Sequence, residues 1–540
     1  MGRSDMNRSD MDHGGMGRTI GPVISPRHLP ALLCAALCSC VYPRLDGTSA
    51  PSAAYDGLLE TPLGLRIQAD TARNPGDSGL YMLGEGLDAF AARVAMVDRA
   101  RHAVDAQYYI FHDDVTGSIL LDRLLGAADR GVRVRLLIDD LGSDGIDDLL
   151  AAADVHEHLE VRLFNPRARG PWNWFAKTLD LLGRPRRINH RMHNKMLTAD
   201  GVVGVVGGRN VGDEYFDAAE DVNFGDLDVL AFGPVVEELG ASFDEYWNSE
   251  FTERLEGWGP FRRGQSDLER LRGRLARVVE ESRSSPYARR LEGSDFVKEA
   301  AKGDLPLIWA PTHAHSDRPS KIVARGDELE DSLLLARLRE AGRPAERELL
   351  IVSPYFIPGK VGTQRLVEDE ARGVEVRVLT NSLASTDVAA VHAGYRKYRR
   401  ELVDGGVEVH EVQPSSDFTG ALYREGLFGS HSASLHAKTF ISDRRHVFVG
   451  SMNLDPRSVE LNTELGFVID SPQLAEALIA GIEELLAPES SWRVSVDEEG
   501  LLWTGIEGGE PVEYREEPRT SWWERFKCGV VGWLPVEGQL

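Results

Sequence analysis

Two short stretches of this chain repeat one polar pattern. His193, Lys195, Asp200, Gly207 and Asn210 recur as His436, Lys438, Asp443, Gly450 and Asn453, with every spacing kept. One chance match would mean little, but two in register mark a duplicated unit whose copies share one task. Paired imidazole, ammonium and amide groups suit attack on a phosphodiester. Its negative charge repels anionic nucleophiles, whereas a neutral imidazole can reach phosphorus while Lys and Asn hold the phosphoryl oxygens, and no metal is needed. The opposite imidazole, protonated, would donate to the leaving alkoxide and later take a proton from the incoming alcohol. One neutral and one charged histidine must then coexist, a titration that belongs to the pair.

These groups need elements that bring them together. Residues 192–198 and 202–206, separated by Asp200-Gly201, read as strand, tight turn, strand. On a strand, positions i and i+2 share a face, so His193 projects with Lys195 and His436 with Lys438. The return strand carries Asn210, or Asn453, back to the same end. Asp200 and Asp443 fall at the turns, where capping or a salt bridge is commoner than contact with substrate. A strand over 103–111, a helix over 117–130 and a strand over 132–138 make a βαβ unit, echoed at 349–353, 362–371 and 374–379. Even the turns correspond, Arg130-Gly131-Val132 against Arg372-Gly373-Val374. The expected fold is α/β, with two homologous lobes related by a pseudo-two-fold axis, each a mostly mixed β-sheet flanked by helices.

The paired motifs resemble those of the phospholipase D (HKD) superfamily, in which each half gives one His, Lys and Asn to a single site. The stretches 187–195, 353–358, 386–395 and 450–458 resemble bacterial cardiolipin synthases, the C-type branch in particular, and the likeness covers roughly residues 80 to 540. It implies two phospholipase D-like lobes, no cofactor and no metal. It also implies a catalytic set of His193, Lys195, Asp200, His436, Lys438 and Asp443, with Asn210 and Asn453 on the phosphate. His193 would be the nucleophile and His436 the acid/base. Each imidazole needs an acceptor on its other nitrogen. Glu464, in the second half, matches the family's acidic partner. Aligning Gly233-Pro234 with Ser471-Pro472 puts Asp226 at the equivalent first-half position, with Asp228 as the alternative.

The chain has 540 residues, 42% of them hydrophobic and 27% charged, the balance of a soluble globular protein with a sizeable core. Its 61 basic and 86 acidic residues leave a net charge of −25, which disfavours wrapping nucleic acid. An anionic substrate must then meet a local basic site, for which Arg184, Arg186, Arg187 and Arg191 are candidates; a solvated basic loop is the equally common alternative. Asp139-Asp140 keeps no metal-ligand spacing with other residues. Neither Ser451 nor Ser458 has a triad around it. The sequence 171–175, Pro-Trp-Asn-Trp-Phe, is an aromatic loop suited to packing on the body or gripping acyl chains.

Composition divides the chain further. Residues 1–40 read as an export or lipoprotein signal-like segment, with Leu37-Cys38-Ser39-Cys40 resembling a lipobox that would carry lipid on Cys40. Residues 41–80 read as a tether, 81–255 as the first lobe, 256–330 as a surface connector and 331–490 as the second lobe. Residues 491–540 read as a tail whose aromatic end suits either a bilayer interface or ordinary docking. The leading expectation is an enzyme of the bacterial cell envelope that moves a phosphatidyl group through phosphohistidine onto phosphatidylglycerol. By resemblance, phosphatidylethanolamine or phosphatidylglycerol would be the donor and the membrane surface a partner. A phospholipase D-type hydrolase is the alternative, ahead of a nuclease; a lipid-binding scaffold with a decayed site is a non-enzymatic one.

Overall fold

The computed structural model describes residues 50–57, 61–143, 145–167, 189–220, 223–255, 263–302, 305–325, 334, 345–414 and 434–532. The signal-like segment with Cys40, the residues Arg184, Arg186 and Arg187, and the aromatic loop at 171–175 lie outside these.

The first half supplies β1 (Ser78–Leu83), β2 (Ala103–Tyr108), β3 (Arg133–Asp139), β4 (Leu159–Phe164), β5 (Met196–Ala199), β6 (Val203–Gly207), β7 (Phe224–Gly225), β8 (Asp228–Phe232), β9 (Thr252–Arg254) and β10 (Ile308–Ala310). All but β7 form a nine-stranded sheet in the order β10-β1-β8-β6-β5-β2-β3-β4-β9. The second half supplies β11 (Thr312–Ser316), β12 (Glu348–Val352), β13 (Glu375–Asn381), β14 (Glu408–Val412), β15 (Ser434–Leu435), β16 (Thr439–Ser442), β17 (His446–Gly450), β18 (Leu465–Asp470), β19 (Ser491–Asp497), β20 (Gly500–Glu507) and β21 (Glu510–Tyr514). All but β15 form a ten-stranded sheet in the order β11-β18-β17-β16-β12-β13-β14-β19-β20-β21. From β1 to β9 and from β11 to β19 the two orders correspond strand for strand. In each, three strands run parallel, β2-β3-β4 and β12-β13-β14. The fold is mixed α/β in two repeats.

Each parallel crossover uses a helix, as the sequence pattern requires. Val115–Asp129 is capped by Asp114, which accepts from Gly117 N at 2.9 Å, and it buries Leu120, Leu121, Leu124 and Leu125. It ends where Gly131 adopts φ 84°, and Gly359–Ala371 ends in the same way at Gly373, φ 91°. That shared left-handed stop explains the repeated Arg-Gly-Val. The lobes are joined by one apolar core. Val206, Val229 and Ala231 of the first sheet meet Leu350, Val352, Ile441, Val449 and Phe467 of the second, with the helices Pro234–Trp247 and Pro472–Leu486 contributing to the same cluster.

Three segments differ from the sequence expectation. The connector enters both sheets, since β10 pairs with β1 and β11 with β18, leaving Pro311 alone between them. Residues 491–514, expected as the start of a tail, extend the second sheet by three strands. The stretch expected as a tether docks before β1. Arg133 donates to Ala53 O at 2.7 Å, Asp244 accepts from Ala54 N at 2.6 Å, and Tyr55 stacks on His102 with centroids 4.6 Å apart.

Candidate active site

The two motif hairpins are tied to each other by short parallel contacts across the lobe boundary. β7 pairs with β15, Leu435 opposite Gly225, and Met192 bridges to Thr463. The backbone N–H of His193 donates to Thr463 O at 2.8 Å, and that of His436 to Gly225 O at 2.7 Å. Each histidine is thus fixed beside the residue that precedes the other lobe's acid.

The acids follow suit. His193 Nδ1 lies 3.0 and 2.9 Å from the Glu464 carboxylate oxygens, 271 residues away, and His436 Nδ1 lies 2.6 Å from Asp226 Oδ2, 210 residues away. The alternative, Asp228, is engaged elsewhere, 2.9 Å from Arg93 and 3.5 Å from Arg209. The pairing is therefore crosswise, each lobe orienting the imidazole of the other. With Nδ1 on a carboxylate, Nε2 is the ring nitrogen left for chemistry.

The surroundings of the two acids differ. Ser451 Oγ donates to Glu464 Oε2, whereas the matching position of the first motif is Gly208, where a Cβ would sit 2.3 Å from Asp226 Oδ1. Behind Glu464 lies a buried pair that sequence reasoning missed. Asp317 Oδ2 accepts from Glu464 N at 2.9 Å and from Lys321 Nζ at 2.9 Å, and Lys321 also reaches the carbonyls of Ser458 and Asn462. Both come from the expected connector, and nothing in their spacing signals the contact.

The lysines fold back onto their own strands. Lys195 Nζ donates to His193 O at 2.6 Å; Lys438 Nζ donates to His436 O and lies 2.9 Å from His436 Nδ1. Asn210 accepts from Ile110 N at 3.2 Å and donates to Tyr215 OH at 2.9 Å, while Asn453 Oδ1 is buried with no hydrogen-bond partner among the described residues. Tyr109 stands edge-on to His193 at 5.2 Å, and Tyr215 edge-on to His436 at 5.4 Å.

The charges of the two sets also bear on each other. Burial pulls His193 down to about 4 over the opposing pull of Glu464, and the ammonium groups of both Lys195 and Lys438 add to the depression. Burial likewise lowers His436, with Lys438 next in effect. Lys195 falls to about 7 and Lys438 to about 8, again chiefly by burial, and the charge of Glu464 bears on both. Burial would raise Glu464, but His193, Lys195 and Ser451 outweigh it and hold the carboxyl below its usual range. Asp226 is held down in the same way by Lys438 and His436. Burial thus favours the neutral form of both imidazoles, and the neighbouring cations favour the ionised form of both acids.

Other expected residues are placed elsewhere. Asp200 and Asp443 sit at the hairpin turns, φ 54° and 52°. Asp200 accepts from the backbone N–H groups of Arg101, His102 and Ala103 at 2.9, 2.7 and 2.9 Å. Asp443 does the same for Glu346, Arg347 and Glu348. At about 3.3 Å per residue, five residues put each turn roughly 16 Å from its motif lysine. Asp200→Ala would leave three amides without their acceptor, so a loss of about 2 to 4 kcal/mol is expected in urea unfolding, with activity falling in step with folded protein. Arg191, a candidate for meeting an anionic substrate, is instead fully buried and lies 3.3 Å from Asp139. Asp139 also accepts from Met192 N at 2.8 Å, so it anchors the chain entering the first motif. A cavity of about 790 Å³ between Gly359–Ala371 and the face of β16 and β17 is lined, among the described residues, by none of the motif His, Lys or Asn side chains.

The chain resembles known proteins over most of its length. The family model described as cardiolipin synthase, PLD-like domain, matches twice, over residues 94–247 and 337–486. Cardiolipin synthase C of Escherichia coli is 42% identical over 478 residues, covering 87% of this chain and 98% of that one. Cardiolipin synthase B of the same organism is 24% identical, covering 85% of this chain and 90% of that one. Among solved structures, phosphatidylserine synthase from Haemophilus influenzae aligns at TM-score 0.47 and 14% identity, covering 78% of this chain and 88% of that one. The duplicated lobes whose histidines exchange acids thus fall within the two regions that the family model matches, and the chain belongs to the cardiolipin synthase family of the phospholipase D superfamily.

Proposed function

We propose that this enzyme is a phosphatidyltransferase that forms cardiolipin on phosphatidylglycerol through a covalent phosphohistidine. The observation that supports it best is the crosswise pairing: two buried imidazoles, each held at Nδ1 by a carboxylate, with two buried ammonium groups beside them. His193, neutral because of its burial, attacks phosphorus through Nε2. As the bond to the headgroup oxygen breaks, His436, charged once an anionic phosphodiester has entered, gives that oxygen its proton. Lys195, Lys438, Asn210 and Asn453 hold the phosphoryl oxygens. The hydroxyl of phosphatidylglycerol then passes its proton to His436 and attacks phosphorus, and the P–N bond breaks. Phosphatidylethanolamine or phosphatidylglycerol is the donor, no metal takes part, and the enzyme works at the membrane surface of the bacterial envelope.

The test is incubation of purified protein with labelled phosphatidylglycerol, with and without phosphatidylethanolamine, in the presence of a chelator. Cardiolipin is expected; phosphatidic acid alone would make the protein a hydrolase. The pH dependence follows from the lysines. A depressed lysine carries its charge below its pKa and loses it above, so kcat/KM is expected to decline as pH rises through about 7 to 8. A profile flat to pH 9 would remove the two ammonium groups from the mechanism.

A further inference from the structure

We infer that the terminal helix Trp522–Gly532 is a docking face for an anionic phospholipid bilayer, held beside the segment that carries Asp387, next to the catalytic residues. The inference rests on the proposed reading of the site as one that acts on membrane lipids.

Trp522, Trp523, Phe526 and Val530 are 65%, 53%, 46% and 50% exposed. At about 100° per residue they occupy one arc of roughly 100° on the helix. Phe526 stacks on both tryptophans, with centroids 5.2 and 5.4 Å apart, the two indoles are tilted at 5.9 Å, and Lys527 flanks the arc with Nζ 5.8 Å from the Trp523 centroid. The opposite face is anchored. Cys528 is buried against Leu383 and Ala393, and Val531 packs on the same cluster. The chain leading into the helix is pinned by Glu517, whose carboxylate meets Arg399 at 2.9 Å and His392 at 3.2 Å. A helix anchored on one side that leaves a stacked aromatic face and a cation outward matches a bilayer interface.

Its place in the fold fits that partner. Cys528 Sγ lies 3.8 Å from Ala389 O, two residues from Asp387. The exposed Asp387 carboxylate accepts from Tyr355 OH at 2.7 Å, and its charge bears on both His436 and Lys438. The helix is therefore anchored beside the segment that carries Asp387, whose charge reaches the site. Eleven residues make a helix about 16 Å long, too short for a hydrocarbon core of roughly 30 Å, so the helix lies in the interface. With a net charge of −25 the body is repelled by an anionic surface. Attachment must come from aromatic insertion, and screening by salt would favour it.

The test is flotation with vesicles of phosphatidylglycerol and phosphatidylethanolamine, using the full chain made by translation without membranes so that Cys40 carries no lipid. Wild-type protein is expected to float at low and high NaCl alike. W522S/W523S/F526S is expected to bind about tenfold more weakly or worse, with circular dichroism and turnover of monomeric short-chain lipid unchanged. Should that variant misfold, quenching of wild-type tryptophan emission by brominated lipid, reduced in W523S, gives the same readout. Undiminished binding by the folded triple variant overturns the inference. So does binding lost at high salt, or a change in oligomeric state with vesicle binding intact. Wild-type protein that floats but turns over no phospholipid in any form would end the transferase reading and leave the docking face standing.

Discussion

Glu464→Gln is expected to slow formation of the phosphohistidine on His193 by about a hundredfold to ten-thousandfold, although the two residues are 271 positions apart and in different lobes. The amide keeps the shape of the carboxylate but presents an N–H₂ that selects the other tautomer of His193, leaving its proton on the nitrogen that must attack. It also removes the negative charge opposing the desolvation that already lowers His193 to about 4. Asp226→Asn is expected to act on His436 instead, and so on proton transfer to the leaving group. The assay is rapid quench with labelled phospholipid, comparing a donor that has an ordinary headgroup with one whose headgroup leaves without a proton. The activated donor should rescue Asp226→Asn and fail to rescue Glu464→Gln. The reverse pattern would mean that the acids serve the histidines of their own halves, or that the nucleophile is His436.

The largest effect is expected of His193→Ala, which removes the attacking nitrogen outright. Transfer should fall by roughly 10⁴-fold or more, and no acid-labile label should stay on the protein. His436→Ala should also lose transfer, yet still accumulate label from the activated donor, because the bond to His193 can form without an acid when the leaving group needs none. Label on the His193→Ala protein would move the nucleophile to the second lobe.

Much of this arrangement was legible in the sequence, for identifiable reasons. The motif residues announce themselves because a duplication repeats side-chain types and spacings together, and the parallel pairs β2-β3 and β12-β13 because each brackets a helical stretch that stops at Gly131 or Gly373. The exchange of acids was not legible. Aligning the halves shows that Asp226 and Glu464 are equivalent, but equivalence does not say which histidine each meets; that depends on how two lobes close, which no spacing records. Arg191, among basic neighbours, read as a group for an anionic substrate or as part of a solvated basic loop, whereas Asp139 at the end of β3 draws it inside. β11 was missed because Thr312-His-Ala-His-Ser has no apolar alternation, its pairing with β18 resting on backbone groups. The hairpin of β20 and β21 did carry a signal, Gly508-Gly509 at φ 59° and 84°, the mirror-image turn that favours tight hairpins, but 491–540 read as a single tail on the strength of its aromatic end.

The exchange of acids also bears on ancestry. A polypeptide holding one lobe would own an imidazole lacking its carboxylate and a carboxylate lacking its imidazole, along with half of an apolar core open to water. Such a unit could have worked only as a homodimer. Gene fusion would then have bound the two subunits covalently, after which each was free to drift, one carrying Gly208 where its twin carries Ser451.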